Sequence, residues 1–191
     1  IKLNPGDSKL YVRRARLFSK GGQFEQGIKD LRLAAEMDPQ NKRIWFYLGD
    51  ILSKLDKPKG AIDYFNKAVK IAPNYGEAFL GKAKAFAKLG LYKKAEENFE
   101  KSFKVSRNKK ERVIFEKGKF EMSRGNLVKA RKDFKTAREI KESFGDAWLA
   151  EADILAKLDE GKAAINLLNQ YLKLRPEDNR ASLMISKLSK K

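Results

Sequence analysis

Large and small apolar residues alternate along this chain with a period of thirty-four residues. With Ser8 as position one, five stretches fall in register: 8–41, 42–75, 76–110, 111–144 and 145–178. Position four is large in each, as Tyr11, Trp45, Phe79, Ile114 and Trp148. Position eight is small, as Ala15, Gly49, Ala83, Gly118 and Ala152. Position twenty is small again, as Gly27, Ala61, Ala95, Ala130 and Ala164, and position twenty-four is bulky, as Leu31, Phe65, Phe99, Phe134 and Leu168. Within each stretch the apolar spacing is helical, so every stretch predicts a pair of helices. Small residues at eight and twenty let two antiparallel helices approach, and large ones at four and twenty-four fill the spaces between them. The pattern predicts that Trp45, Phe65, Phe99, Trp148 and Leu168 are largely buried.

The punctuation agrees with this register. Gly22, Gly90 and Gly125 sit at the turn inside a stretch, where a left-handed residue ends a helix, and Asp56 and Asp159 take that place in the other two. Pro39, Pro73 and Pro176 follow the second helix of their stretches and block its continuation. Arg107 and Glu142 stand there instead in stretches three and four. The third stretch is one residue longer, and the extra residue falls within Lys104–Lys110.

Trp45, Leu48-Gly49, Leu52, Ala61, Phe65, Ala68 and Pro73 closely follow the spacing W-x2-L-G-x2-Y…A-x3-F…P. In this the chain resembles the tetratricopeptide repeat family, strongly in the second and fifth stretches and in looser form in the other three. The resemblance implies an all-α fold, a right-handed superhelical solenoid of antiparallel helix pairs. First helices then line its concave face and second helices cover the convex one. Repeats of this kind build binding surfaces rather than active sites.

The ends extend the register. Leu3 and Pro5 match positions thirty and thirty-two of one further period, so residues 1–7 read as the remnant of a preceding repeat. Tyr11, Leu17 and Phe18 are then expected to be partly exposed. Residues 179–191 read as a capping helix, with Asn179 as its cap and Ala181, Met184, Ile185 and Leu188 as its apolar stripe.

Composition narrows the chemistry. The chain has no cysteine and no histidine, which removes disulfides, thiolate metal sites and the commonest general base. No apolar run approaches the length of a membrane-spanning helix. The acidic neighbours Glu96-Glu97 and Asp159-Glu160 are adjacent rather than opposed, and Gly21-Gly22 is no phosphate loop. The expected protein is not an enzyme and needs no cofactor or metal. Cysteine usage leaves the compartment open.

In the family, positions two, five, nine, twelve and thirteen of the first helix face the groove. Position five carries Val12, Phe46, Leu80, Phe115 and Leu149, and position nine carries Arg16, Asp50, Lys84, Lys119 and Asp153. The candidate groove is therefore Val12, Arg16, Phe46, Asp50, Leu80, Lys84, Phe115, Lys119 and Leu149, an apolar spine with charged flanks. Such a groove suits a protein or peptide segment with apolar anchors and acidic residues. The other reading of position five is that it serves the core. Chaperone-binding members of the family clamp a carboxylate with Lys at position five and Asn at position six of the next repeat. Val12, Leu80 and Tyr47 depart from that clamp.

Charge adds a second candidate. The formal net charge is +18, from 43 basic and 25 acidic residues. Lys101, Lys104, Arg107, Lys109, Lys110, Arg112 and Lys117 form a basic run across stretches three and four. It reads either as a docking patch for nucleic acid or another polyanion, or as a solvated connection. The aromatic residues nearby follow the helical period instead of interleaving with the charges, which weakens the nucleic-acid reading. The expected function is a noncatalytic interaction module of a larger scaffold or adaptor. Polyanion binding and self-association are the alternatives.

Overall fold

The computed structural model describes residues 6–190, and among them the chain forms eleven helices and no strand. Two compact units divide the chain at Ser106 and Arg107. The first holds α1 (Ser8–Lys20), α2 (Phe24–Met37), α3 (Lys42–Lys54), α4 (Pro58–Ile71), α5 (Gly76–Lys88) and α6 (Tyr92–Val105). The second holds α7 (Lys110–Ser123), α8 (Leu127–Ile140), α9 (Gly145–Lys157), α10 (Gly161–Leu174) and α11 (Asn179–Leu188).

Each hairpin turn is made by one left-handed residue. Gly22, Gly90 and Gly125 take φ of 76°, 72° and 78°, and Asp56 and Asp159 take 58° and 60° at the corresponding places. Aspartate tolerates this region better than most residues, though without glycine's freedom. The helices then pack antiparallel in pairs, α1 on α2, α3 on α4 and α5 on α6 in the first unit, α7 on α8 and α9 on α10 in the second. The small positions do what the alternation requires. A Cβ on Gly49 would lie 2.7 Å from the Phe65 ring, and one on Gly118 would lie 2.7 Å from the Phe134 ring.

The first unit has one cluster around Val12, Leu31, Ile44 and Ile51 and another around Ala61, Phe65, Ala68 and Ala78. In the second unit Ala130, Phe134 and Ile154 form one cluster, and Trp148, Leu168, Tyr171 and Ala181 belong to another. Met184, Ile185 and Leu188 of α11 pack against the latter. Phe65, Phe99, Trp148 and Leu168 are buried as the alternation predicts.

Trp45 departs from expectation, being only half-buried. Both tryptophans donate their indole N–H to a backbone carbonyl at 2.8 Å, Trp45 to Pro39 and Trp148 to Glu142. What covers the ring differs. Trp45 stacks on Tyr64 beneath the ammonium of exposed Lys67, 4.7 Å from the ring centre. Trp148 lies beneath the Arg138 guanidinium, which is fixed 2.5 Å from buried Glu151. A tethered guanidinium seals a ring that a free lysine stem leaves partly wet.

One local feature also differs from the sequence reading. The cap of α11 is Asp178, whose carboxylate accepts from the Arg180 N–H at 3.1 Å, while Asn179 is the first helical residue. A charged side chain at the cap both receives the orphan amide and complements the helix dipole. The extra residue of stretch three lengthens no loop, because it enters as the first residue of α7. The turn before it is closed by Lys109 in the left-handed region, with φ of 67°. At the start of the chain Tyr11 is buried at 9 % exposure, Phe18 is half-buried and Leu17 is 67 % exposed. The expectation for residues 1–5 lies outside the described residues.

Candidate functional site

Position five of the first helix is drawn toward the core in both units. Val12 is buried at 7 % exposure, within the cluster between α1, α2 and α3. Phe46 is half-buried, its ring 5.8 Å from Phe65 and 5.4 Å from Tyr75, the latter edge-on. Phe115 repeats this arrangement in the second unit, 5.4 Å from Phe134 and 5.1 Å from Phe144, the latter again edge-on. Edge-on ring pairs add about 0.5–1.5 kcal/mol beyond the area they bury. Leu80 and Leu149 are half-buried, Leu149 against the cluster of Trp148, Leu168 and Tyr171. The spine therefore offers edges rather than whole side chains, and Val12 offers none.

Position thirty-four supplies the partners that reading along the sequence left out. It is aromatic only as Tyr75 and Phe144, and in both cases the same stretch has phenylalanine at position five. That coincidence was the available signal. Tyr75 gathers further groups in the first unit. Lys42 places its ammonium 5.0 Å from the Tyr75 ring, and Tyr47 packs edge-on to Phe46 at 5.3 Å. Burial, with Glu77 and Tyr47 nearby, pushes the Tyr75 hydroxyl above its ordinary range, against the pull of Arg43. Phe46, Tyr47, Tyr75, Arg43 and Glu77 thus form one aromatic and charged surface beside the first helices of the second and third stretches.

The flanking charges stay accessible but are mostly engaged. Arg16 and Lys84 are exposed, and Asp50 is half-buried. Asp50 pairs with Lys54 at 3.2 Å, and the same ammonium donates to the Ser19 hydroxyl at 2.8 Å. Lys54 so ties the first helices of two successive pairs. In the second unit Lys119 pairs with Glu116 at 3.0 Å and lies 5.5 Å from the Phe115 ring centre. Asp153 pairs with Lys157 at 2.7 Å.

The basic run is divided by the fold. Lys101 and Lys104 are exposed on α6 of the first unit. Arg107, Lys109 and Arg112 are exposed in the second unit, where Lys110 and Lys117 are half-buried. Lys117 is drawn aside by Asp133: burial raises the Asp133 carboxyl, and Lys117 is the largest influence holding it down. Lys117 thus serves a neighbouring carboxylate more than an open patch. No group of acidic residues among those described is arranged to hold a metal ion, and no described helix is long and apolar enough to cross a membrane.

Comparison with known proteins places this geometry. Three family models, each described as a tetratricopeptide repeat, match residues 12–76, 76–109 and 121–188. The chain is 30 % identical over 74 residues to a small glutamine-rich tetratricopeptide repeat-containing protein 2 of Mycosarcoma maydis, covering 39 % of this chain and 21 % of that protein. It is 30 % identical over 81 residues to the Hsp70-Hsp90 organizing protein 1 of Glycine max, covering 42 % of this chain and 14 % of that one. The chain therefore spans less than a quarter of these relatives. Among solved structures, the type IV pilus biogenesis factor PilW is similar with a TM-score of 0.79 at 22 % identity, over 98 % of this chain and 84 % of that one. The thirty-four-residue register, the paired helices and these matches together make the chain a member of the tetratricopeptide repeat family, whose helical arrays are noncatalytic.

Proposed function

We propose that this chain is a protein-interaction module, the repeat-bearing part of a larger scaffold or adaptor, and that it binds a partner segment on the first-helix faces. The observation that carries the reading is the first-unit surface of Phe46, Tyr47 and Tyr75, half-buried aromatic residues with the Lys42 ammonium 5.0 Å from the Tyr75 ring and Arg43 acting on its hydroxyl. Amphipathic rings beside cations suit a segment that carries apolar anchors and carboxylates. A relative named for organising Hsp70 and Hsp90 supports a protein as the partner. Val12, Leu80 and Tyr47 differ from the chaperone-type carboxylate clamp, so the segment recognised is of another sequence.

Anchors set the affinity, because apolar area is worth ~25 cal/mol per Å² while exposed ion pairs contribute ~0–1 kcal/mol. Changing Tyr47 to Ala removes accessible ring area with less damage to the core than changing Phe46. A true partner should weaken about tenfold, the equivalent of ~1.4 kcal/mol. The test is affinity capture with wild type against a Tyr47→Ala, Lys84→Glu variant, with circular dichroism confirming that both are folded. Identical partner lists would overturn this reading.

A second reading rests on the exposed Lys101, Lys104, Arg107, Lys109 and Arg112 and on the charge of +18. In it the partner is nucleic acid or another polyanion. Binding of that kind falls steeply with salt and is indifferent to Tyr47.

A further inference from the structure

The three hairpin turns of the first unit lie along one edge. The Lys54 ammonium, at the end of α3, donates to the Ser19 hydroxyl at the end of α1 at 2.8 Å. Lys88, at the end of α5, pairs with Asp56 in the neighbouring turn at 2.7 Å. Charge along this edge is one-sided. Residues 19–25, 53–59 and 88–94 hold seven lysines against two carboxylates, Glu25 and Asp56, and no arginine. All seven lysines are exposed. The junctions at the other ends of these helices are balanced, with Glu36 and Asp38 offsetting Lys42 and Arg43, and Glu77 offsetting Lys70. The turn edge is thus strongly basic where the junction edge is neutral.

The third turn adds an apolar tip. Gly90 turns the chain at φ of 72°, and a Cβ there would meet nothing within 4 Å. Leu91 and Tyr92 follow, 43 % and 46 % exposed. Leu91 is the N-cap of α6 and makes no side-chain capping hydrogen bond. The corresponding caps of the other four hairpins are Gln23, Lys57, Asn126 and Glu160, all polar. Leucine is among the poorest residues at a cap, and here burial does not compensate. A single exposed leucine is ordinary. Two adjacent apolar residues at a turn tip, set between Lys88 and Lys93-Lys94, break the local rule with no gain to the fold.

We propose that this edge of the first unit docks on the surface of a bilayer containing anionic lipid, with Leu91 and Tyr92 entering the headgroup region. The occupant follows from the two features together. Lysine ammoniums act as point charges toward the negative potential of such a surface and need no fixed partner geometry. Leucine gains by leaving water, and a tyrosine ring with its hydroxyl suits the boundary between headgroups and chains. A short apolar insertion and a basic patch each bind a membrane weakly, and the pair holds. Nucleic acid would use the lysines but leave Leu91 in water. The edge lies at the opposite end of the first helices from Lys42, whose ammonium is over the Tyr75 ring, about 18 Å along α3. The docking surface is therefore separate from the proposed partner surface.

The experiment is co-sedimentation with vesicles of phosphatidylcholine, and with vesicles of phosphatidylcholine and phosphatidylserine in equal parts. Saturable binding to the mixed vesicles alone is expected, and absence of binding to them would overturn the proposal. Leu91→Asn supplies a better cap, so the melting temperature should hold or rise while affinity for the mixed vesicles falls about tenfold. Lys93→Gln combined with Lys94→Gln should lower it on the order of tenfold or more. An equal loss from Lys101→Gln with Lys104→Gln, toward the far end of α6, would show general charge at work and overturn the site. A random-sequence DNA duplex is the second probe. Leu91→Asn should leave duplex binding unaltered, and equal weakening of duplex and vesicle would assign the edge to polyanions at large instead. Amide hydrogen exchange on the mixed vesicles should slow in residues 88–94. Protection confined to other residues would overturn the proposal as well.

Discussion

At single residues, backbone conformation and close approach set the sharpest constraints. Asp159 occupies the left-handed region at φ of 60° and makes no ion pair among the described residues. A side chain there costs about 1–2 kcal/mol that glycine avoids, offset in part by glycine's larger unfolded-state entropy. Asp159→Gly should therefore raise stability by ~0.5–1 kcal/mol in urea denaturation. Asp56→Gly should gain less, because it also removes the 2.7 Å pair with Lys88. The reverse holds at Gly118, where an added methyl meets Phe134 at 2.7 Å and should cost ~1–3 kcal/mol. Asp178 adds a pH signature. Its carboxylate is held well below the ordinary range by hydrogen bonds from the Arg180 side chain, with Tyr171 and the Arg180 amide assisting. A depressed carboxyl stabilises the fold above its unfolded value, and the contribution fades as pH falls through the lower folded value. Asp178→Asn should therefore cost ~1 kcal/mol near neutrality, with the difference shrinking as pH falls below about 3.8. Emission from Trp148, stacked 5.7 Å from Tyr171, is the readout, with Trp45 replaced by Phe. A difference that persists unchanged at pH 2 would contradict the assignment.

At the level of helices, most of the architecture could be read from the chain because each boundary is written in residue chemistry. Glycine or aspartate at the hairpin turn and proline after the second helix act locally, within the reach of sequence inspection. What escaped inspection depends on neighbours that only the fold brings close. The Arg14–Asp30 pair joins residues sixteen apart, and its meaning appears once α1 and α2 lie antiparallel. Trp45 and Trp148 share a position, yet the burial of each is decided by a cation from a different place, Lys67 for one and Arg138 for the other. The choice of Asp178 over Asn179 as cap turned on a single residue, the least certain level of any boundary. Position five shows the same limit on the candidate site. Its apolar identity was plain, but its commitment to Tyr75 and Phe144 became visible only with the rings in contact. Helix α11 provides a direct test at this scale. Its Ala181, Met184, Ile185 and Leu188 cover the cluster of Trp148, Leu168 and Tyr171. Removing residues 179–191 should cost ~3 kcal/mol, from several partly buried apolar side chains at ~1 kcal/mol each. A red shift of Trp148 emission and a lower urea midpoint are expected.

For the molecule as a whole, the deciding quantity is the balance between its general positive charge and its local surfaces. The first unit carries 22 basic against 12 acidic residues and the second 21 against 13, so the excess belongs to both. A charge spread in this way attracts any polyanion without choosing among them. A selective partner has to be recognised by something more local, and the rings around Tyr47 and Tyr75 are such a feature. Salt separates the two contributions. Attraction to nucleic acid by several lysines is lost by orders of magnitude between about 50 and 200 mM salt, through release of condensed counterions. A segment held by apolar contact with a few rim charges loses only the steering part, seen mainly as slower association. Binding of the captured partner and of a random-sequence duplex should therefore be compared across that range. The partner should weaken only a few-fold, and Tyr47→Ala should reduce its affinity at every salt concentration. The duplex should lose nearly all its affinity and ignore the tyrosine. A partner whose salt dependence matches that of the duplex would transfer the function to the charged surface and away from the first-helix faces.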